Sequence, residues 1–324
     1  MKNVFKIGLL LLTILGLIGC VNDNHGFPTS RTDEQNGPIS ARLVVSADFG
    51  KDIIFDEAVD INYAVTALDL LKNNMSVGTA YGGGFITSIE GIKSGYLNQP
   101  VQRKDWFLYV NGILTNTGGL DYKIRNGDTI HWYYRDWSFR QAVSALISEF
   151  PFAFKYGYSG KNTSTTIWYE DGWLDEAQTV QNYLLDHGVT DIAIRSSQDI
   201  NPHELQKNHL LIIGSSSFSP VDEINNNWDR LGLFCRFTSQ GLEVFDEQGV
   251  ASQFYTSGTG IILAMQNPFN PAGTGACQNT CFVISGTDDG SISQALNALL
   301  YKTDKIKYLA GAIVSGELII PLPQ

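Results

Sequence analysis

The sequence predicts an α+β fold of the β-grasp kind followed by a small α/β domain with a mostly parallel sheet. Two observations carry this. Between residues 41 and 137, one short stretch of helical period lies among short β segments punctuated by glycine. From 138 to 324, apolar runs of buried-strand type alternate with amphipathic helical stretches, as βαβ units require.

The chain opens with Lys2 and Lys6 around an apolar run from Ile7 to Ile18, too short for a confident span and suited to a signal-peptide core. It ends in Leu17-Ile18-Gly19-Cys20, which resembles the lipobox of bacterial lipoproteins. That resemblance implies a signal peptide over 1–19, lipidation of Cys20 (palmitate among the acyl chains) and an outward-facing, lipid-anchored position on a cell membrane. Several acyl chains on one residue make a stable anchor. Residues 20–40 then form a lipidated cysteine and a flexible tether, since "VNDNHGFPTSRTDEQNGPIS" has few apolar residues and no period.

Loss of residues 1–19 leaves 20 basic against 33 acidic side chains and moves the formal charge from −11 to −13. Such a surface disfavours nucleic acid, whose affinity comes mainly from Lys and Arg on phosphates. Beyond Cys20 the cysteines are Cys235, Cys277 and Cys281. Outside the cell an odd number leaves one thiol unpaired or pairs it between chains. Cys277 and Cys281 are close enough to bridge a small loop, and Cys235 with either stays open.

In the first domain, 41–137, "ARLVVSAD" and "KDIIFDEAVDI" read as strands around a Phe49-Gly50 turn. In "YAVTALDLLKNN", Val65 or Ala64 with Leu68 and Leu71 forms one apolar stripe of a short helix. "VGTAY", "FITSIEG", "DWFLYVNG", a short piece at "LDYKI", and "DTIHWYY" follow as strands, with turns at Gly82-Gly83-Gly84 and Asn111-Gly112. The last strand is unusual. Ile130, Trp132 and Tyr134 alternate with Thr129, His131, Tyr133 and Arg135, so aromatics stand on both faces where water normally meets a polar one.

In the second domain, 138–324, "FRQAVSALISEF", "LDEAQTVQNYLLDHG", "PVDEINNNWDRLG" and "GSISQALNALLYK" read as helices. Asp175, Pro220 and Asp289 or Ser291 stand at helix-start positions. "TTIWYE", "DIAIRS", "HLLIIGS", "GIILAM" and "CFVISG" read as strands, and "LEVFDEQGVASQFYTS" as an inserted hairpin.

Motifs for catalysis do not assemble. "LLIIGSSSF" lacks the G-x-S-x-G elbow, and "AGTGAC" follows no strand and lacks the third glycine of a dinucleotide fingerprint. Asp288 and Asp289 in "CFVISGTDDGS" put negative charge where a phosphate would sit and suit a helix cap. None of the five histidines forms a metal-ligand pair. The chain reads as a binding protein, with no enzyme chemistry.

Residues 66–137 carry the more specific signal. A T-x-L-D-x-L helix, a Gly84-Phe85-x-Thr87-Ser88 strand leading to Gly91, the Trp106 strand, a polar loop ending in Gly118, Asp121-Tyr122, and Gly127-Asp128-x-Ile130 before Trp137 occur in that order. This resembles the C-terminal β-domain of the transcobalamin and intrinsic-factor family and the bacterial DUF4430-type domain. The resemblance implies binding of cobalamin or a related corrinoid as a transported ligand, with hand-over to a membrane vitamin importer. The second face of the ligand would need another cover, because the helical barrel of that family is absent here. By motif position, the loop Ile113–Gly118, with Thr115, Asn116 and Thr117, faces the corrin, and Tyr81, Gly83 and Phe85 form the neighbouring turn. Trp106, Tyr109, Trp132 and Tyr134 would supply flat apolar surface. His131 could serve as a cobalt ligand, though a surface cross-strand role fits it better. The alternative is a cell-surface module that binds glycan, peptide or an envelope partner.

Overall fold

Two sheets and the segment threaded between them place the candidate site. The computed structural model describes residues 38–62 and 64–324; the signal peptide, Cys20 and most of the tether lie outside them. Ile39 and Ser40, expected in the tether, already belong to the first strand.

Strands β1 (Ile39–Ala47) and β2 (Asp52–Ile61) form a hairpin. Helix α1 (Ala67–Asn74) begins with a capping box: the Thr66 side chain accepts from Asp69 N, and Asp69 accepts from Thr66 N. Its apolar residues Leu68, Leu70 and Leu71 are buried. Then come β3 (Val77–Ala80), β4 (Phe85–Ile89) and β5 (Ile92–Lys93), a small antiparallel sheet. Strands β6 (Lys104–Val110), β7 (Ile113–Leu114) and β8 (Thr129–Asp136) complete a five-stranded sheet of order β2-β1-β8-β6-β7. β8 lies parallel to β1 and antiparallel to β6. A first and last strand side by side with one helix across them is the β-grasp arrangement expected.

The second half runs through α2 (Phe152–Tyr156), β9 (Thr165–Tyr169), α3 (Leu174–Asp186), β10 (Ile192–Arg195), α4 (Pro202–Lys207), β11 (His209–Ile213) and α5 (Ser219–Asn226). An inserted three-stranded sheet, β12 (Cys235–Thr238), β13 (Gly241–Phe245) and β14 (Ala251–Tyr255), contains the expected hairpin. β15 (Gly260–Gln266), β16 (Thr280–Gly286), α6 (Asp289–Tyr301), α7 (Thr303–Ile306), β17 (Gly311–Ser315) and β18 (Leu318–Leu322) follow. Asp288 caps α6. In the seven-stranded sheet, β10-β9-β11-β16 are parallel, and β15, β17 and β18 extend it antiparallel. Strand direction is not written in an apolar run such as "GIILAM", because a strand buried on both faces reads alike either way.

One expected helix is absent. In "FRQAVSALISEF" only Ile147–Glu149 forms a 3-10 turn. The backbone of the preceding stretch finds its partners sideways: Leu114 N donates to Ser144 O, Leu146 N donates to Gly112 O, and Ala145 bridges Ile113. Val143, Ala145 and Leu146 are all buried. A segment enclosed on several sides is apolar for reasons other than helical period.

This segment explains the aromatic strand. The β8 face bearing His131, Tyr133 and Arg135 is covered, and all three are essentially inaccessible. Arg135 donates to the carbonyls of Arg140 and Gln141 at 2.8 Å and lies 3.9 Å over the Phe107 ring. Both faces of the sheet are therefore core, and the described residues belong to a single compact unit.

The Cys277–Cys281 bridge that the spacing allows is not formed. All three described cysteines are free and buried. Cys281 of β16 belongs to the same core cluster as Cys235, whereas Cys277 packs with the other core cluster and its thiol donates to Leu114 O.

Candidate functional site

A cleft of about 360 Å³ opens between the small sheet and the loop after β7. Its floor is Trp132 of β8, Leu108 of β6 and Leu68 of α1. Register places these together: Trp132 stands opposite Leu108, and Tyr134 opposite Trp106, on the face that α1 covers. One wall is Gly83, Gly84, Phe85 and Ile86; the other is the chain from Leu114 to Leu120. Every lining side chain is uncharged.

The polar loop is held from several sides. Thr115 N donates to Leu108 O at 3.0 Å, and Leu68 N at the start of α1 donates to Gly119 O at 2.9 Å. Thr115 Oγ1 donates to Thr117 O, and Thr117 Oγ1 to Asn116 Oδ1. The Asn116 amide also reaches the second half: its Nδ2 donates to Gly275 O, and its Oδ1 accepts from Tyr158 OH, both at 3.4 Å.

Asp128, just before β8, fixes the loop's far end. Its carboxylate accepts from Tyr122 OH at 2.8 Å, Arg125 N at 2.9 Å and Asn111 Nδ2 at 3.2 Å. Burial raises the Asp128 carboxyl above the usual range despite these bonds.

The cleft gathers Gly83, Phe85, Trp106 and Trp132 with the loop residues Thr115, Asn116, Thr117 and Gly118. Tyr81 stands outside the lining as an exposed rim residue, its ring 6.4 Å from that of Phe85. Tyr134 braces Trp106 from behind, and its hydroxyl donates to Lys93 O at 2.9 Å. Ile113 is fully buried. Tyr109 is turned to the opposite face, where its hydroxyl donates to Val143 O at 2.7 Å. Both belong to the core, because period-two alternation sends Tyr109 away from Trp106 and Leu108.

His131 is likewise on the far face and fully buried, so it is no surface residue. Its Nε2 is 2.8 Å from Ser46 Oγ, and its Nδ1 is 3.5 Å from Glu149 Oε1. It cannot reach a metal in the cleft. Among the described residues, no group of three or more His, Cys, Asp or Glu side chains could hold a metal ion, and no helix is long and apolar enough to cross a membrane.

Sequence reasoning missed Leu68, Leu108, Ile86, Phe107, Leu120 and Gly119. Leu68 and Leu108 sit at core period and border the cleft from within the core, both of them buried. Gly119 had a signal, the Gly118-Gly119 pair: a Cβ there would come within 2.7 Å of the Trp132 ring.

Residues 64–136 match the family described as a domain of unknown function, DUF4430. This bears out the resemblance to the DUF4430-type domain read from the motifs, and every residue lining the cleft lies in the matched span. No curated protein matches the chain. Among solved structures, haptocorrin in complex with Cbi is similar at 18% identity and a TM-score of 0.26, over 31% of this chain and 26% of that one. A protein from Ruminococcus gnavus ATCC 29149, described as a "putative metal binding protein", is similar at 13% identity and a TM-score of 0.24, over 30% of this chain and 97% of that one.

Proposed function

We propose that the protein binds cobalamin or a related corrinoid in the cleft and passes it to a membrane vitamin importer. In this reading lipid on Cys20 holds it to the outer side of a cell membrane. One observation carries the proposal: an uncharged, aromatic-floored cleft bounded by a polar loop, built by residues that lie far apart in the sequence. A corrin is a broad, largely apolar ring fringed with amides. It suits indole and aliphatic walls with a few amide and hydroxyl groups at the edge, and it gives no reason for a charged lining. The cleft is smaller than such a ligand and open on one side, so it takes one part of the ring and leaves the rest uncovered. The exposed rings of Tyr81 and Tyr96 extend the apolar surface beyond its mouth. No catalytic step is assigned to the chain, and the ligand is cargo.

Calorimetric titration of the purified full chain with cyanocobalamin and with dicyanocobinamide tests this. Saturable heat with either supports the reading. No heat with either at high micromolar concentration overturns it and leaves the cell-surface interaction module as the reading to pursue.

A further inference from the structure

We infer that Gln266, in the second half of the chain, is a positioning residue for the ligand loop of the first. The inference rests on the reading that the cleft holds a ligand. Gln266 ends β15 and is 2% exposed. Its side-chain amide joins three segments. Nε2 donates to Leu114 O at 3.0 Å, where the loop leaves β7, and lies 3.4 Å from Ser144 O. Oε1 accepts from Cys277 N at 2.8 Å, which fixes the turn after residue 271. That turn carries Gly275, whose carbonyl accepts from Asn116 at the loop tip.

One buried amide thus sets both the root of the ligand loop and the segment its tip rests on. A buried donor and acceptor satisfied by three different strands of chain fix relative position more tightly than apolar packing does. The cleft wall from Leu114 to Leu120 is therefore shaped by residues outside the matched domain. A loop ordered before the ligand arrives also spares the complex the cost of ordering it.

The test compares three variants of the full chain with the parent. Gln266→Met keeps volume and removes the hydrogen bonds. Gln266→Glu keeps the acceptor for Cys277 N, removes the donors to Leu114, and serves if the first variant fails to fold. Ser144→Ala removes only the hydroxyl that accepts from Gln266 N, a lesion in the same joint that leaves the loop's bonds intact. Amide hydrogen exchange is followed over residues 114–118, with cyanocobalamin affinity and thermal unfolding beside it.

Exchange over 114–118 should quicken in the Gln266 variants, with β1 and β8 unchanged, and affinity should fall roughly tenfold. Ser144→Ala should alter melting alone. Parent-like exchange in folded Gln266 variants overturns the inference, and so does a Ser144→Ala variant that matches them in exchange and affinity. The exchange arm needs no ligand. If the parent fails to bind cyanocobalamin, the functional reading falls while the positioning role is still decided.

Discussion

Trp106 and Tyr134 stand directly opposite each other on β6 and β8, ring centroids 5.0 Å apart, and each ties the small sheet to the large one. Trp106 Nε1 donates to Ile92 O at 3.2 Å, and Tyr134 OH to Lys93 O at 2.9 Å. Only Trp106 lines the cleft. Tyr134→Phe should therefore lower stability by about 1 kcal/mol, the worth of one hydrogen bond, and leave corrinoid affinity unchanged. Trp106→Ala should lower both. Denaturant unfolding and titration of the two variants separate the roles; an affinity loss in Tyr134→Phe would move that ring into the site.

Gly119 and Gly118 offer a sharper contrast. A Cβ on Gly119 would meet Trp132 Cη2 and Cζ2 at 2.7 Å, whereas one on Gly118 finds nothing nearer than 3.9 Å. Neither backbone lies in the left-handed region, so the difference is steric. Gly119→Ala should cost about 1–3 kcal/mol by overpacking, displace the Trp132 ring and change its near-UV dichroism. Gly118→Ala should stay close to the parent in all three respects.

His209 is one source of the pH dependence of stability. It is fully buried, its Nδ1 accepts from Thr280 N at 3.0 Å, and its Nε2 is 2.9 Å from Asn162 Oδ1. Burial lowers its pKa to about 3. Below the unfolded value of about 6.5, the unfolded chain takes a proton that the folded chain does not. This contribution to stability is fully present above pH 6.5 and is lost progressively toward pH 3. The loss should reach roughly 2 kcal/mol by pH 5. Denaturant unfolding at pH 7 and pH 5 should show a fall of that size in the parent and a smaller one in His209→Gln. Equal falls would mean that other groups carry the acid sensitivity.

What the sequence made legible follows from what local pattern encodes. The hairpin, α1, and the strands around Trp106 and Trp132 were readable because period and turn chemistry act over a few residues. The motif order put the loop Ile113–Gly118 next to the turn Tyr81–Phe85; of these, Gly83, Phe85 and Thr115–Gly118 line the cleft, while Ile113 is core and Tyr81 is on the rim. Tyr109 was misplaced although the same alternation sends it to the other face. Trp106, Tyr109, Trp132 and Tyr134 looked too many for a small core, whereas Tyr109 fills a second one together with Tyr133. Nothing local announces that residues 142–146 run without a helix between two sheets, since an apolar run buried on several sides can pass for a helix. The Cys277–Cys281 spacing likewise carried no record of the sheet that separates the two thiols.

The most direct test of the central claim is amide hydrogen exchange of the full chain with and without saturating cyanocobalamin. If the cleft holds the corrin, protection should rise at Gly83–Ile86 and Thr115–Leu120, and β10, α4 and β14 should exchange as before. Binding without protection at either wall, or protection confined to the second half of the chain, would contradict the account.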